Sequence, residues 1–115
     1  MTDTIFRIAA PEALANAASA GIYEGEAHDK ADGFIHASTR AQIAGTLAVR
    51  YAEAERLAVA EIDAAALGDT LKWEKSRGGE DFPHIYGPLP WSAVRAVHLI
   101  RRGDAGEWRL PGELA

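Results

Sequence analysis

Three side chains far apart in the sequence offer the chemistry most worth following: His36, Glu74 and His84. Together they supply two imidazoles and a carboxylate, groups suited to moving protons at a reacting centre. Each falls near the end of an element, where catalytic groups tend to lie. The spacing is long-range, so their convergence is an expectation about the fold. The bland alternatives are a His36 bonded to a backbone carbonyl, a solvated Glu74 and a His84 that braces its own loop. Around this trio, Arg7, Tyr23, Ser38, Trp73 and Tyr86 are candidates for holding a ligand. Arg7 stands in an apolar strand, either as a strand-end arginine or as an anion contact. Trp73 and Tyr86 line a pocket or join an aromatic core.

Other chemistries fit poorly. No HxH or HExxH pair is present, so no metal site is expected. Ser38 lacks the G-x-S-x-G elbow of a hydrolase nucleophile. Gly78-Gly79 is neither a P-loop nor a dinucleotide fingerprint. His28 has acidic neighbours and no apolar pattern, which makes it a surface residue. His98, in the middle of a strand, reads as packed or half-exposed.

The elements that must position these residues start with Asp32-Gly33-Phe34-Ile35-His36-Ala37-Ser38-Thr39. Phe34 and Ile35 favour a strand, and Thr39 with Gln42 forms a capping box for a helix that follows. Strand alternation sets Phe34, His36 and Ser38 on one face and Ile35 and Ala37 on the other. A hydroxyl and an imidazole beside the free N–H groups of a helix start suit an anionic ligand. Upstream lie a first strand, Ile5–Ala9, and a helix from Pro11 to Ala20 stopped by Gly21. Ile22 to Asp32 reads as a polar loop of the length that covers a site. Downstream, the helix from Thr39 to Glu53 carries Ile43, Leu47 and Tyr51 at i, i+4, i+8. Leu57–Ile62 is the clearest strand, Asp63 caps a short turn, and Leu71–Glu74 is another strand. Phe82 to Pro90 holds three prolines and a glycine, which argues against a regular central strand there. Val94–Ile100 closes the sheet, with a polar tail folded back through Trp108.

The chain of 115 residues carries a formal charge of −5, with 48% hydrophobic and 25% charged residues and no cysteine. It reads as one α+β domain of residues 1–115, with a core of about residues 4–100 and a tail of 101–115. The expected architecture has about six short strands in a split, mostly antiparallel sheet and two main helices. The acidic balance argues against DNA and anionic membranes. No apolar run reaches membrane-spanning length, and no signal sequence is evident, so a cytoplasmic protein, monomeric or a weak homodimer, is the default.

The segments Asp32–Thr39 with Gln42, Lys72-Trp73-Glu74 and Phe82-Pro83-His84-Ile85-Tyr86-Gly87-Pro88-Leu89 resemble the domain of unknown function 952 family. Order and spacing agree from Ile5 to about Leu99. Members look like distant relatives of the ADP-ribosyltransferase superfamily. Phe34 to Ser38 with the first strand resembles the histidine-bearing strands of its RNA 2′-phosphotransferase branch. The resemblance implies NAD or ADP-ribose, as substrate, in a cleft between two small sheets. In that picture His36 contacts a ribose or phosphate, and Glu74 or His84 acts near the reacting sugar carbon as in a transferase or glycohydrolase. Two departures stand out: Arg7 replaces a first-strand histidine common in both groups, and the basic cluster of the RNA phosphotransferases is not evident. The rival readings are a non-catalytic nucleotide or metabolite binding module and a structural or interaction protein.

Overall fold

A computed structural model describes residues 3–114. Its centre is strand β4 (Arg56–Asp63), antiparallel to β1 (Thr4–Ala9) on one side and β8 (Val94–Arg102) on the other. β4 is buried on both faces because its apolar residues do not alternate with polar ones: Leu57 and Val59 face one core, and Ala58, Ala60 and Ile62 the other. Helix α1 (Pro11–Ala20) sets Leu14 and Ala17 on the alanine-rich first core. Pro11 stands in its first turn, and Gly21, at φ 83°, closes it by donating to the Ala17 carbonyl at 2.8 Å.

Helix α3 (Ile43–Arg50) covers the opposite face, burying Ile43 and Leu47 against Phe6, Ile8 and Val59. Thr39 and Gln42 form the reciprocal capping box ahead of it, through a 3₁₀ turn at Arg40–Gln42. The helix ends at Arg50, short of the expected Glu53. Beyond its end the chain turns, and Arg102 of β8 holds that turn by donating to the carbonyls of Tyr51 (2.9 Å), Ala52 (2.9 Å) and Ala54 (2.6 Å). β9 (Trp108–Arg109) then pairs with β8, and Leu114 is buried in the second core, so the tail packs onto the domain.

A second sheet has the order β3 (Ile35–His36), β6 (Asp81–Ile85), β5 (Leu71–Lys75), all antiparallel. The Pro-rich stretch was expected to exclude a central strand, yet β6 is central and Pro83 lies within it. The Pro83 carbonyl accepts the Ala37 N–H at 3.1 Å, so its nitrogen faces the same neighbour, where β3 ends. The missing donor therefore removes one bond at the end of a ladder. A two-residue pair, β2 (Ile22–Tyr23) with β7 (Leu89–Pro90), completes the strands. Nine strands are present among the described residues, more than the six expected, and four of them are only two residues long. The segment read as a polar loop contains β2 and a short helix, α2 (Ala27–Asp32), held by a Glu26–Asp29 capping box and closed by Gly33 at φ 89°. The domain is a small α+β fold of split antiparallel sheets. No helix among the described residues is long and apolar enough to cross a membrane.

Candidate functional site

The two sheets are stitched together by a backbone pair: Phe6 and Ser38 exchange N–H···O bonds of 2.8 Å each. That bridge brings Arg7 beside His36. Alternation along β3 and β6 then does the sorting. Ile35, Ala37 and Ile85 enter the first core, while Phe34, His36 and His84 share the other face.

Arg7 is 1% exposed and meets a carboxylate that is equally buried, Asp29 of α2. Its Nη1 and Nη2 donate to Asp29 Oδ1 and Oδ2, both at 2.7 Å, the bidentate geometry that guanidinium and carboxylate favour. Arg7 also donates to the His36 carbonyl at 2.9 Å and to Glu26 at 3.0 Å. Asp29 accepts further bonds from the Glu26 N–H (2.7 Å), the His36 N–H (2.9 Å) and His36 Nδ1 (2.6 Å). Burial pushes the Asp29 carboxyl up, but the bonds from His36 and Arg7 outweigh it and hold the group far below its ordinary 3.8. Burial likewise works against the Arg7 charge and loses to Asp29, leaving the guanidinium more basic than usual. Tyr23, buried, donates to Glu26 at 2.9 Å, and burial raises its phenol.

On the neighbouring strands, His84 Nδ1 lies 2.7 Å from Glu74 Oε1, and the Tyr86 hydroxyl donates to the same oxygen at 2.7 Å. These bonds, His84 first, lower the Glu74 carboxyl, and the Glu74 carboxylate raises the Tyr86 phenol. Phe34 stacks on His84 with ring centres 3.9 Å apart and tilts against His36 at 4.6 Å. The His36 and His84 rings are 6.1 Å apart, centre to centre.

Both histidines open onto a cleft of about 190 Å³ between β1, the end of β3, α3 and the β5–β6 turn. Its lining includes Arg7, Arg50, Arg77, His28, His36 and His84, and no carboxylate among the described residues. Hydroxyls line it too: Ser38 lies 3.2 Å from Thr46, to which Arg77 donates at 3.2 Å while resting over the Phe82 ring. Gly45 makes room for that arginine, since a Cβ there would stand 3.2 Å from Arg77 Nη2.

Of the candidates read from sequence, Arg7, His36, Ser38 and His84 therefore reach one cleft. Glu74 stands one hydrogen bond behind His84, and Tyr86 one further. Tyr23 is packed beneath the cleft as a brace for Glu26, and Trp73 pairs with Pro83, one position off the alternation that carries Glu74. His28, read as a surface residue, is half-exposed and lends one side to the cleft. Burial, with help from Arg7, His36 and Arg50, lowers its basicity against the opposing pull of Asp29. Sequence reasoning missed Asp29, Glu26, Arg50 and Arg77. A lone arginine in an apolar strand was the available signal for a buried carboxylate. Ligand atoms of His28, Asp29 and His36 lie within 4.8 Å of one another, a spacing compatible with a metal ion, but both Asp29 oxygens already hold the Arg7 guanidinium.

Comparison with known proteins finds similar folds over nearly the whole chain. A crystal structure of protein CC0527 from Caulobacter crescentus superposes with a TM-score of 0.88 at 37% identity, covering 96% of this chain and 97% of that one. Its solution structure gives a TM-score of 0.80 at 37% identity, over 91% and 90% of the two chains. No match was found among curated proteins. The family described as Protein of unknown function (DUF952) matches residues 8–97, and the chain belongs to that family.

Proposed function

We propose that the cleft binds a small phosphate-bearing ribose ligand of the NAD or ADP-ribose class. The observation that carries this reading is the lining: three arginines and three histidines with no carboxylate among the described residues, in a chain of net charge −5. Such a pocket concentrates positive potential where the rest of the surface is acidic, and it favours anions over cations. Arg7 is spent on Asp29, but Arg50 and Arg77 have no carboxylate within 4.0 Å among the described residues. At about 190 Å³ the cleft is smaller than a typical pocket for a whole cofactor, so it takes one phosphate-ribose end with the remainder outside. The resemblance to ADP-ribosyltransferases makes ADP-ribose and NAD the first ligands to try.

Calorimetric titration at low salt with ADP-ribose, NAD and inorganic phosphate tests the reading. Saturable binding by ADP-ribose, competed by phosphate, is the expected result; silence from all three at millimolar concentration sinks it. A specific observation bears on what happens after binding. Cleavage at the anomeric carbon of ribose calls for a carboxylate beside that carbon. Glu74 is engaged with His84 and Tyr86 and is not part of the lining. That favours a binding module over a glycosyl transferase or glycohydrolase.

A further inference from the structure

We infer that His84 and His36 form an acid–base pair able to hydrolyse a small phosphodiester bound in the cleft. The inference rests on the reading that the cleft accepts a phosphate group. It takes its chemistry from the different ways in which the two rings are held.

His84 meets one carboxylate. Its Nδ1 lies 2.7 Å from Glu74 Oε1, so the N–H points at the carboxylate and the lone pair is left on Nε2. No partner meets that Nε2 among the described residues, and the ring lines the cleft. His36 meets two carboxylates, with Nδ1 2.6 Å from Asp29 and Nε2 2.8 Å from Asp32. A ring with protons on both nitrogens satisfies both at once. Asp29 is buried and fixed by Arg7, whereas the Asp32 side chain is 51% exposed and free to yield Nε2 to a substrate oxygen. The remaining charged or titratable groups facing His36 are His28, in ring contact, and Arg7 behind Asp29. Beside His84 they are Tyr86, through Glu74, and Lys72, opposite it in the strand register. One histidine is thus arranged to accept a proton and the other to give one, with ring centres 6.1 Å apart, edge to face, on the lining of one cleft.

That division of labour matches a phosphodiester better than the alternatives. A diester carries one negative charge, which Arg50 and Arg77 can meet without help from the committed Arg7. Its hydrolysis needs a base at the entering oxygen and an acid at the leaving one, in line through phosphorus. In the step, His84 Nε2 takes a proton from water as the water oxygen bonds to phosphorus. The opposite P–O bond breaks, its electrons stay on oxygen, and that oxygen takes the proton from His36 Nε2. The products are a phosphomonoester and a free hydroxyl, and solvent returns the proton from His84 to His36. A nucleoside 2′,3′-cyclic phosphate is the smallest ribose probe of this class, since its leaving oxygen remains attached.

The experiment follows hydrolysis of 2′,3′-cyclic AMP by ³¹P NMR, with binding of the same compound measured by calorimetry. The native chain is expected to turn over with a bell-shaped dependence of kcat/KM on pH. His84→Gln is expected to lower kcat by about 10²–10⁴-fold while leaving affinity within a few-fold. Because His36 is tied into the buried Arg7–Asp29 pair, its role is tested without disturbing that pair: Asp32→Asn is expected to shift the alkaline limb of the profile to lower pH, which a purely structural Asp32 would not do. Glu74→Gln, a change at a positioning residue, is expected to reduce kcat and move the acidic limb while KM holds. Binding without hydrolysis overturns the acid–base pair and leaves the binding reading intact. Failure to bind any phosphate compound overturns both. Turnover that survives His84→Gln at the native rate also overturns the pair.

Discussion

Asp29→Ala is expected to remove about 3–5 kcal/mol of folding stability, the cost of leaving one member of a buried ion pair without its partner. Both members are 1% exposed, and Asp29 accepts two bonds from Arg7, two from His36 and one from the Glu26 N–H. The change would strand the Arg7 guanidinium with only Glu26 and a carbonyl, and release three donors around α2. A domain of this size has about 5–15 kcal/mol in total, so urea unfolding should show a large drop in midpoint. Arg7→Met in the same background is expected to recover part of the loss, because the pair as a whole is worth far less than either half alone. Were Asp29→Ala as stable as the native chain, the central role of this pair would be wrong. The same pair sets an acid limit. The carboxyl is depressed in the fold, so its contribution is complete above its ordinary value of 3.8 and is lost as pH falls below it. Stability of the native chain should fall through that window, and Asp29→Asn, already weakened, should fall less.

Arg77→Gln is expected to weaken ADP-ribose binding by about 10–100-fold, the loss of a charged hydrogen bond worth about 1.5–3 kcal/mol. Arg77 sits on the β5–β6 turn, held by Thr46 and the Phe82 ring, with no carboxylate to neutralise it among the described residues. Its bond to Thr46 and its contact with Phe82 are single surface interactions, so only a small drop in melting temperature is expected, and calorimetry is read below that transition. Arg56→Gln serves as the control: that arginine is 65% exposed, pairs with Glu12 and lies outside the cleft, and its loss should leave affinity within about two-fold. The Arg77 effect should shrink as salt is raised. An Arg77 variant that binds as tightly as the native chain would remove the arginine from the ligand's surroundings.

Local patterns explain which features could be read in advance. Thr39 and Gln42 announce a helix start because a capping box is satisfied within four residues. The apolar run Leu57–Ala60 announces a strand, though its cover on both faces emerges only from the fold. His36 and His84 could be singled out because each sits where an element ends. Asp29 could not, since α2 is six residues long and has no apolar stripe. Its importance comes from an arginine 22 positions away. Arg50 and Arg77 look like ordinary solvated charges at a helix end and in a glycine turn; only the packing of α3 beside β6 makes them neighbours. Pro83 was misjudged for a related reason. A rule about central strands concerns which neighbour loses a donor, and that depends on where β3 stops.

The double burial of β4 has a consequence for motion. Flanked by β1 and β8 and covered on both faces, its amides should exchange with solvent only when the whole domain unfolds. β5, an edge strand with mostly exposed side chains, can fray at far smaller cost. The two walls of the cleft therefore differ in stiffness. Arg7 belongs to the anchored wall, whereas His84 is backed through Glu74 by the yielding strand, so a ligand of imperfect shape is accommodated by give on the His84 side.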